Sequence, residues 1–328
     1  MKSTNSRQTG QVPLSRVVAA LEAMYPPSTA LSWDRVGLVT GDLAQPVRRV
    51  HFAVDPTAHV IAEARESGAD LLVTHHPLLL RGVHSVATVT AKGRAVTALI
   101  VAGIALYAAH TNADAADPGV CDALAHACGL LDVGPLSTQE GQPLGRVGTL
   151  AEPTSLRAVA QRLAAALPPA PVGIRVSGPA AAPVTTVAVL GGSGDGLFDA
   201  VRDSGADLYV TADLRHHPAL EAREEAAGGP PYLIDAGHWA SEQLWLADAA
   251  AALRTNLGAD GDDLEMYLST VRTDPWDAIL AGPPAAGWAP GQYLGAGDRW
   301  EEARLAGLTT PARGDRDAGV GREDRHES

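Results

Sequence analysis

One segment of this chain occurs twice. SGADLLVTHHPLLL, Ser67 to Leu80, returns as SGADLYVTADLRHHPAL, Ser204 to Leu220. Each copy reads as a helix end, a glycine turn, an acidic residue, an apolar strand, a threonine and then His-His-Pro. Agreement in both residue order and element type predicts an α/β fold of two similar halves related by an internal repeat. Helices and short apolar strands alternate around both copies, which describes parallel βαβ units. Open sheets of that kind place their sites beyond the carboxyl ends of the strands, so the site is expected between the halves, where strand ends face one another.

The end of the first copy is unusual. In a regular strand His75 and His76 would point to opposite faces, so both reach one site only if the strand has already stopped. Pro77 has no amide to extend the ladder and restricts His76, which supports a stop at that point.

Around the repeat, Leu14 to Met24 reads as an amphipathic helix with Ser15 as candidate cap, followed by the strand RRVHFAVD, Arg48 to Asp55. Strands are expected at LLVT, IALYAA and PYLIDAGH, and helices at PTAHVIAEARESG, GVCDALAHACGL and WASEQLWLADAAAALRTNLG. QPLGRVGTLAEP introduces a new strand, PTSLRAVAQRLAAALP a helix with proline at its start, and LEMYLSTVRTDPW a last strand and turn. The division predicted is a flexible lead-in at 1–11, a first half at 12–131, a second half with returning C-terminal elements at 132–278, and a disordered Gly/Pro/Arg/Asp-rich tail at 279–328.

A formal net charge of -13 and a pI near 5.2 exclude a duplex nucleic-acid wrapper, whose affinity comes from clustered Lys and Arg. With 6 Trp, 6 Tyr and 2 Phe in 328 residues, the core must be built from Ala, Val and Leu. Cys121 and Cys128 suit neither a zinc knuckle nor a local disulfide and are expected to be buried and reduced. The N-terminus has no apolar secretory core, and the apolar window Ala95 to Ala109 is shorter than the roughly 20 residues of a membrane span. A cytoplasmic protein without membrane association is expected.

Three clusters fall at predicted strand ends: His75 with His76, His110 with Asp114, and His238 with Glu242. The last pair is spaced i, i+4, so both side chains share a helix face. Each cluster alone has an ordinary structural explanation; their joint occurrence at three strand ends carries the inference. Imidazoles and carboxylates without thiolates suit Zn, Fe, Mn or Ni, and they outnumber the ligands of one open catalytic ion. Two divalent metal ions per chain are therefore expected, bridged by Asp114 or Glu242. The second copy's His216 and His217 lie beyond ADLR, away from the strand end, and are read as supporting or substrate-facing rather than ligating. LGGSGDG, Leu190 to Gly196, matches neither the dinucleotide fingerprint nor a phosphate loop and is read as a tight turn.

SWDRVGLVTGD, DLLVTHHPLL, AAHTNADAADPGVCDAL, GRVGTL, VAVLGGSG, GADLYVTADLRHH and LIDAGHWASE, in this order, resemble the signature blocks of the Nif-three-like dinuclear metal-centre family, often labelled type 2 GTP cyclohydrolase I. The resemblance runs from about Val12 to Trp276. It implies ligation by His75, His76, Asp114, His238 and Glu242 with His110 close by, a ring-shaped homohexamer, and sites facing an internal cavity. The extra domain that some relatives carry between the halves has no room in the short spacing from Gly148 to Val187. The implied function is a metal-dependent hydrolase acting on a small molecule, GTP or another nucleotide. For GTP the ring opens with formate release to give dihydroneopterin triphosphate, with His110 or His217 shuttling protons. A phosphoester hydrolase, or a metal-binding scaffold without turnover, fits the same residues.

Overall fold

The two copies of SGAD make the same local structure in a computed structural model that describes residues 11–280. Gly68 and Gly205 both take φ +69°, the left-handed turn that ends a helix and that glycine adopts without cost. Asp70 then accepts from the amides of Arg48 and Arg49 at 2.7 and 3.0 Å, and Asp207 from those of Thr185 and Thr186 at 2.8 and 2.9 Å. Each aspartate thus ties the start of its own strand to the neighbouring parallel one.

The first elements are β1 (Val12–Pro13), α1 (Leu14–Met24), β2 (Gly37–Thr40), β3 (Pro46–Val47), β4 (Arg49–Ala53), α2 (Ala58–Glu66), β5 (Leu71–Thr74), α3 (Ala91–Ala102), β6 (Ala105–Ala108), α4 (Thr111–Ala115) and α5 (Val120–Cys128). There follow β7 (Leu131–Gln139), β8 (Gln142–Ser155), α6 (Leu156–Ala166), β9 (Arg175–Ser177), β10 (Pro183–Ser193), α7 (Phe198–Asp203), β11 (Leu208–Ala212) and α8 (His216–Glu225). The chain closes with β12 (Tyr232–Asp235), α9 (His238–Gln243), α10 (Trp245–Leu257), α11 (Ala259–Asp262) and β13 (Glu265–Leu268).

Two mixed sheets result, one of five strands in the order β13-β4-β5-β6-β2 and one of six in the order β7-β8-β10-β11-β12-β9. The repeated strands, β5 and β11, are each flanked by parallel neighbours. Alternation divides β5 between two cores: Leu71 and Val73 join a large cluster shared by both sheets with α1, α5 and α10, while Leu72 packs with Val60, Ile61 and Leu99 of α2 and α3. Trp245, fully buried, donates its indole N–H to the Tyr25 hydroxyl at 3.1 Å and pins α10 beside the end of α1.

Several local expectations need correction. Ser15 lies inside α1, which starts after Pro13 without a side-chain cap. The new strand near QPLGRVGTLAEP is the second arm of a hairpin, turned at Glu140 (φ 50°) and Gly141 (φ 79°). β8 runs through Pro153, so α6 is capped instead by the Ser155 hydroxyl, which accepts from the Ala158 amide at 3.2 Å. The last strand, β13, joins the five-stranded sheet beside β4. The lead-in and the tail expected to be disordered lie almost wholly outside the described residues.

Candidate metal centre

β5 ends at Thr74, and the threonine hydroxyl donates to the carbonyl of His76 at 2.9 Å, turning the backbone just beyond the strand. This lets both imidazoles reach one place, their ring centres 5.0 Å apart. His110 follows β6 and begins α4, whose first turn carries Asp114. His238 begins α9 after Gly237, a left-handed glycine at φ 77°, and the helical spacing brings Glu242 beneath it.

The structure brings six of the eight sequence-selected residues together. His76 Nε2 lies 3.2 Å from Glu242 Oε2 and 3.2 Å from His238 Nε2, and His238 Nε2 lies 3.1 Å from Glu242 Oε1. His75 Nε2 stands 3.5 Å from Glu242 Oε1 and 3.7 Å from Asp114 Oδ1. His110 packs edge-on against both His75 and His76 at 5.1 and 5.4 Å. His216 and His217 instead open α8, exposed and paired with each other at 5.1 Å. His217 makes none of the hydrogen bonds, ion pairs or ring contacts that tie the cluster among the described residues.

The physical reason is register. Counted from SGAD, the position of His76 is taken in the second copy by Asp213, and the inserted residues carry His216 and His217 onto the next helix. Asp213, at φ 54°, accepts from His238 Nδ1 at 2.7 Å. Asp55 does the same for His76 at 2.7 Å, Asp34 for His110 at 2.9 Å, and the Ala109 carbonyl for His75 at 2.9 Å. All four imidazoles therefore have Nδ1 fixed by an acceptor and Nε2 turned toward the cluster. A metal-binding histidine is commonly held this way, because the acceptor sets the tautomer and raises the basicity of the free nitrogen.

Sequence reasoning gave none of these three aspartates a role in the site. Asp213 was readable by aligning the two copies without a gap; Asp34 and Asp55 gave no comparable signal. Gly192 was also missed. It sits at φ +70°, and a Cβ there would collide with Glu242 Oε1 and come within 3.3 Å of His238 Nε2. LGGSGDG is thus less a turn than the end of β10 passing under Glu242, with the Gly192 amide donating to the Ser241 hydroxyl at 3.0 Å.

Charge is concentrated here to an extent that burial opposes. Burial lowers the proton affinity of His76 and His238, but the Glu242 charge and hydrogen bonds outweigh it, with Asp55 adding for His76 and Asp213 for His238. The results are about 10 and about 9. Burial pushes Asp114 up to about 6 despite His75. Burial also opposes the charge on Glu242, yet His75, His76 and His238 hold it well below the ordinary carboxylate range.

Whether these donors suit metal ions can be tested on the atoms themselves. His75 Nε2, Asp114 Oδ1 and Glu242 Oε2 are buried without a hydrogen-bond partner. Orphaned buried polar atoms are costly and rare, and these converge. Nitrogen and oxygen donors about 2.1 Å from an ion stand roughly 3.0 to 3.4 Å apart for right-angle and tetrahedral arrangements. The separations of 3.1, 3.2 and 3.5 Å around Glu242 fall close to that range. The donors divide into two overlapping groups, His75, His76 and His110, and His76, His238 and Glu242. The residues fit divalent cations.

The chain is 51% identical over 278 residues to the GTP cyclohydrolase 1 type 2 homolog of Streptomyces coelicolor, covering 83% of this chain and 96% of that one. Among solved structures, Staphylococcus aureus protein SA1388 is 28% identical with a TM-score of 0.74, covering 81% of this chain and 99% of that one. A Bacillus cereus protein related to NIF3 shares the fold at a TM-score of 0.74 and 24% identity, over 83% and 100% of the two chains. No helix among the described residues is long and apolar enough to cross a membrane. The model of the Duf34/NIF3 (NGG1p interacting factor 3) family matches residues 12–275, and the chain belongs to that family.

Proposed function

We propose that this protein is a dinuclear metal-dependent hydrolase. The observation that carries the reading is the set of imidazoles fixed at Nδ1 and converging at Nε2, with the carboxylate oxygens Asp114 Oδ1 and Glu242 Oε2 buried beside them without a hydrogen bond. His75, Asp114 and one oxygen of Glu242 would hold one cation, and His76, His238 and Glu242 the other. Glu242, with both oxygens within 3.5 Å of imidazole nitrogens, would contribute to both. When bound, two such cations supply Lewis acidity and a water acidic enough to act as nucleophile near neutral pH.

The chain's own groups do the rest. Asp55 and Asp213 hold His76 and His238 in the tautomer that leaves Nε2 available. Asp34, whose charge is favoured by hydrogen bonds from His110 and Thr111 against the cost of burial, fixes His110 Nδ1 and leaves its Nε2 to take and return a proton. His217 would reach a substrate only from outside this cluster, so the shuttle role rests on His110.

The substrate assigned is GTP, following the name carried by the Streptomyces coelicolor relative, with ring opening and formate release. A ring-shaped homohexamer in the cytoplasm is the assembly and location we assign with it. Incubating metal-loaded protein with GTP should release formate and develop pterin fluorescence, both lost in Glu242→Gln. Absence of both products from protein holding two ions per chain would remove GTP as the substrate.

A further inference from the structure

A second feature adjoins the cluster. Past β13 the chain crosses from the five-stranded sheet toward the six-stranded one: the Thr273 hydroxyl donates to Asp55, the aspartate that holds His76, and Trp276, Ala278 and Ile279 then border the same cavity as Arg175 and Leu214. Between them lies a cavity of about 490 Å³ lined by Val172, Arg175, Asp213, Leu214, Trp276 and Ile279. Its size lies within the range of small-molecule sites, roughly 300 to 1,000 Å³. Asp213 belongs to both places, since it lines the cavity and its carboxylate accepts from His238 Nδ1 at 2.7 Å.

The lining has a definite chemistry. Val172, Leu214, Trp276 and Ile279 make apolar walls, and Trp276 is 62% exposed, a large aromatic residue that folding leaves mostly uncovered. Arg175 pairs with Asp235, its cross-strand neighbour, through Nη2, leaving Nε and Nη1 without a partner among the described residues. Asp213 uses Oδ2 on His238, leaving Oδ1. A triphosphate is poorly served here, because the single guanidinium is already paired and a carboxylate stands on the same wall. A flat ring with a polar edge is well served: its face stacks on the indole, its acceptors take Arg175 N–H groups, and a ring N–H finds Asp213 Oδ1.

We propose that this cavity binds the planar heteroaromatic end of the substrate, a purine-like base stacked on Trp276 and read by Arg175 and Asp213. The assignment rests on the hydrolase reading for its relevance to turnover. Trp276 and Arg175 then determine specificity rather than metal binding, and neither contacts the cluster among the described residues.

Isothermal titration of metal-loaded, full-length protein with guanosine and, separately, with inorganic tripolyphosphate tests this. Guanosine should bind, and Trp276→Ala should weaken it about tenfold or more, the ordinary worth of base stacking on an aromatic side chain. Arg175→Met should weaken it as well, while tripolyphosphate affinity and metal content stay at wild-type levels in both variants. No guanosine binding, unchanged guanosine affinity in both variants, or a loss confined to tripolyphosphate would each overturn the proposal. GTP turnover with kcat and KM untouched by either variant would keep the hydrolase and remove the base site. Trp276-dependent guanosine binding by a protein that turns over no GTP would keep the base site and remove the hydrolase.

Discussion

Gly192→Ala is the sharpest perturbation of the centre, because it introduces one methyl group and no charge. The added Cβ would overlap Glu242 Oε1 and sit 3.3 Å from His238 Nε2. Glu242 is buried at 3% exposure and has little room to yield, so its carboxylate must move by roughly an ångström to restore ordinary contact. Metal–ligand distances tolerate only about ±0.2 Å, so at least one of the two ions that Glu242 would hold should be lost. The backbone cost is separate: an alanine at φ +70° pays about 1 to 2 kcal/mol. In a domain of this size each kcal/mol lowers the melting temperature by roughly 2 to 4 °C. Elemental analysis should therefore find at most one ion per chain in a protein that still unfolds cooperatively a few degrees early. Gly191→Ala is the matched control, since its Cβ meets Val120 Cγ1 at 2.8 Å but Glu242 only at 3.7 Å; it should lower stability and spare metal content. Two ions per chain in Gly192→Ala, with wild-type affinity, would refute the assignment of Glu242.

Asp213→Ala should weaken metal binding about 10- to 100-fold without unfolding the chain, measured by competition with a chromogenic chelator, because His238 loses the acceptor that sets its tautomer. In metal-free protein His76 and His238 are held protonated up to about 10 and about 9, above their ordinary value of 6.5. Their contribution to stability is fully present below pH 6.5 and is lost as pH rises through 9 to 10, so the melting temperature in chelator should fall across that window. For the same reason, metal uptake near pH 8 should release about two protons per chain, read by titration in buffers of different ionisation enthalpy; release near zero would contradict the assigned protonation. Arg146, 3% exposed, donates two hydrogen bonds to Asp122 at 2.8 Å and ties β8 to α5. Arg146→Met should cost about 3 kcal/mol by chemical denaturation, because it strands a partly buried carboxylate.

What the sequence determined by itself is local in origin. Apolar alternation, the glycines that end helices and the paired SGAD segments are readable because each depends on neighbours within a few residues. His75, His76, His110, Asp114, His238 and Glu242 were selectable for the same reason, as the chemistry-bearing residues just past apolar runs. Tertiary structure decided what those residues face. It joined Asp34 to His110, Asp55 to His76 and Asp213 to His238, returned β13 to the first sheet, and brought Gly192 beneath Glu242. It also separated His217 from the cluster, because four extra residues after Thr211 shift the second His-His-Pro onto the next helix. Side-chain direction follows from register and packing between segments far apart in the chain, and a short motif carries no record of either.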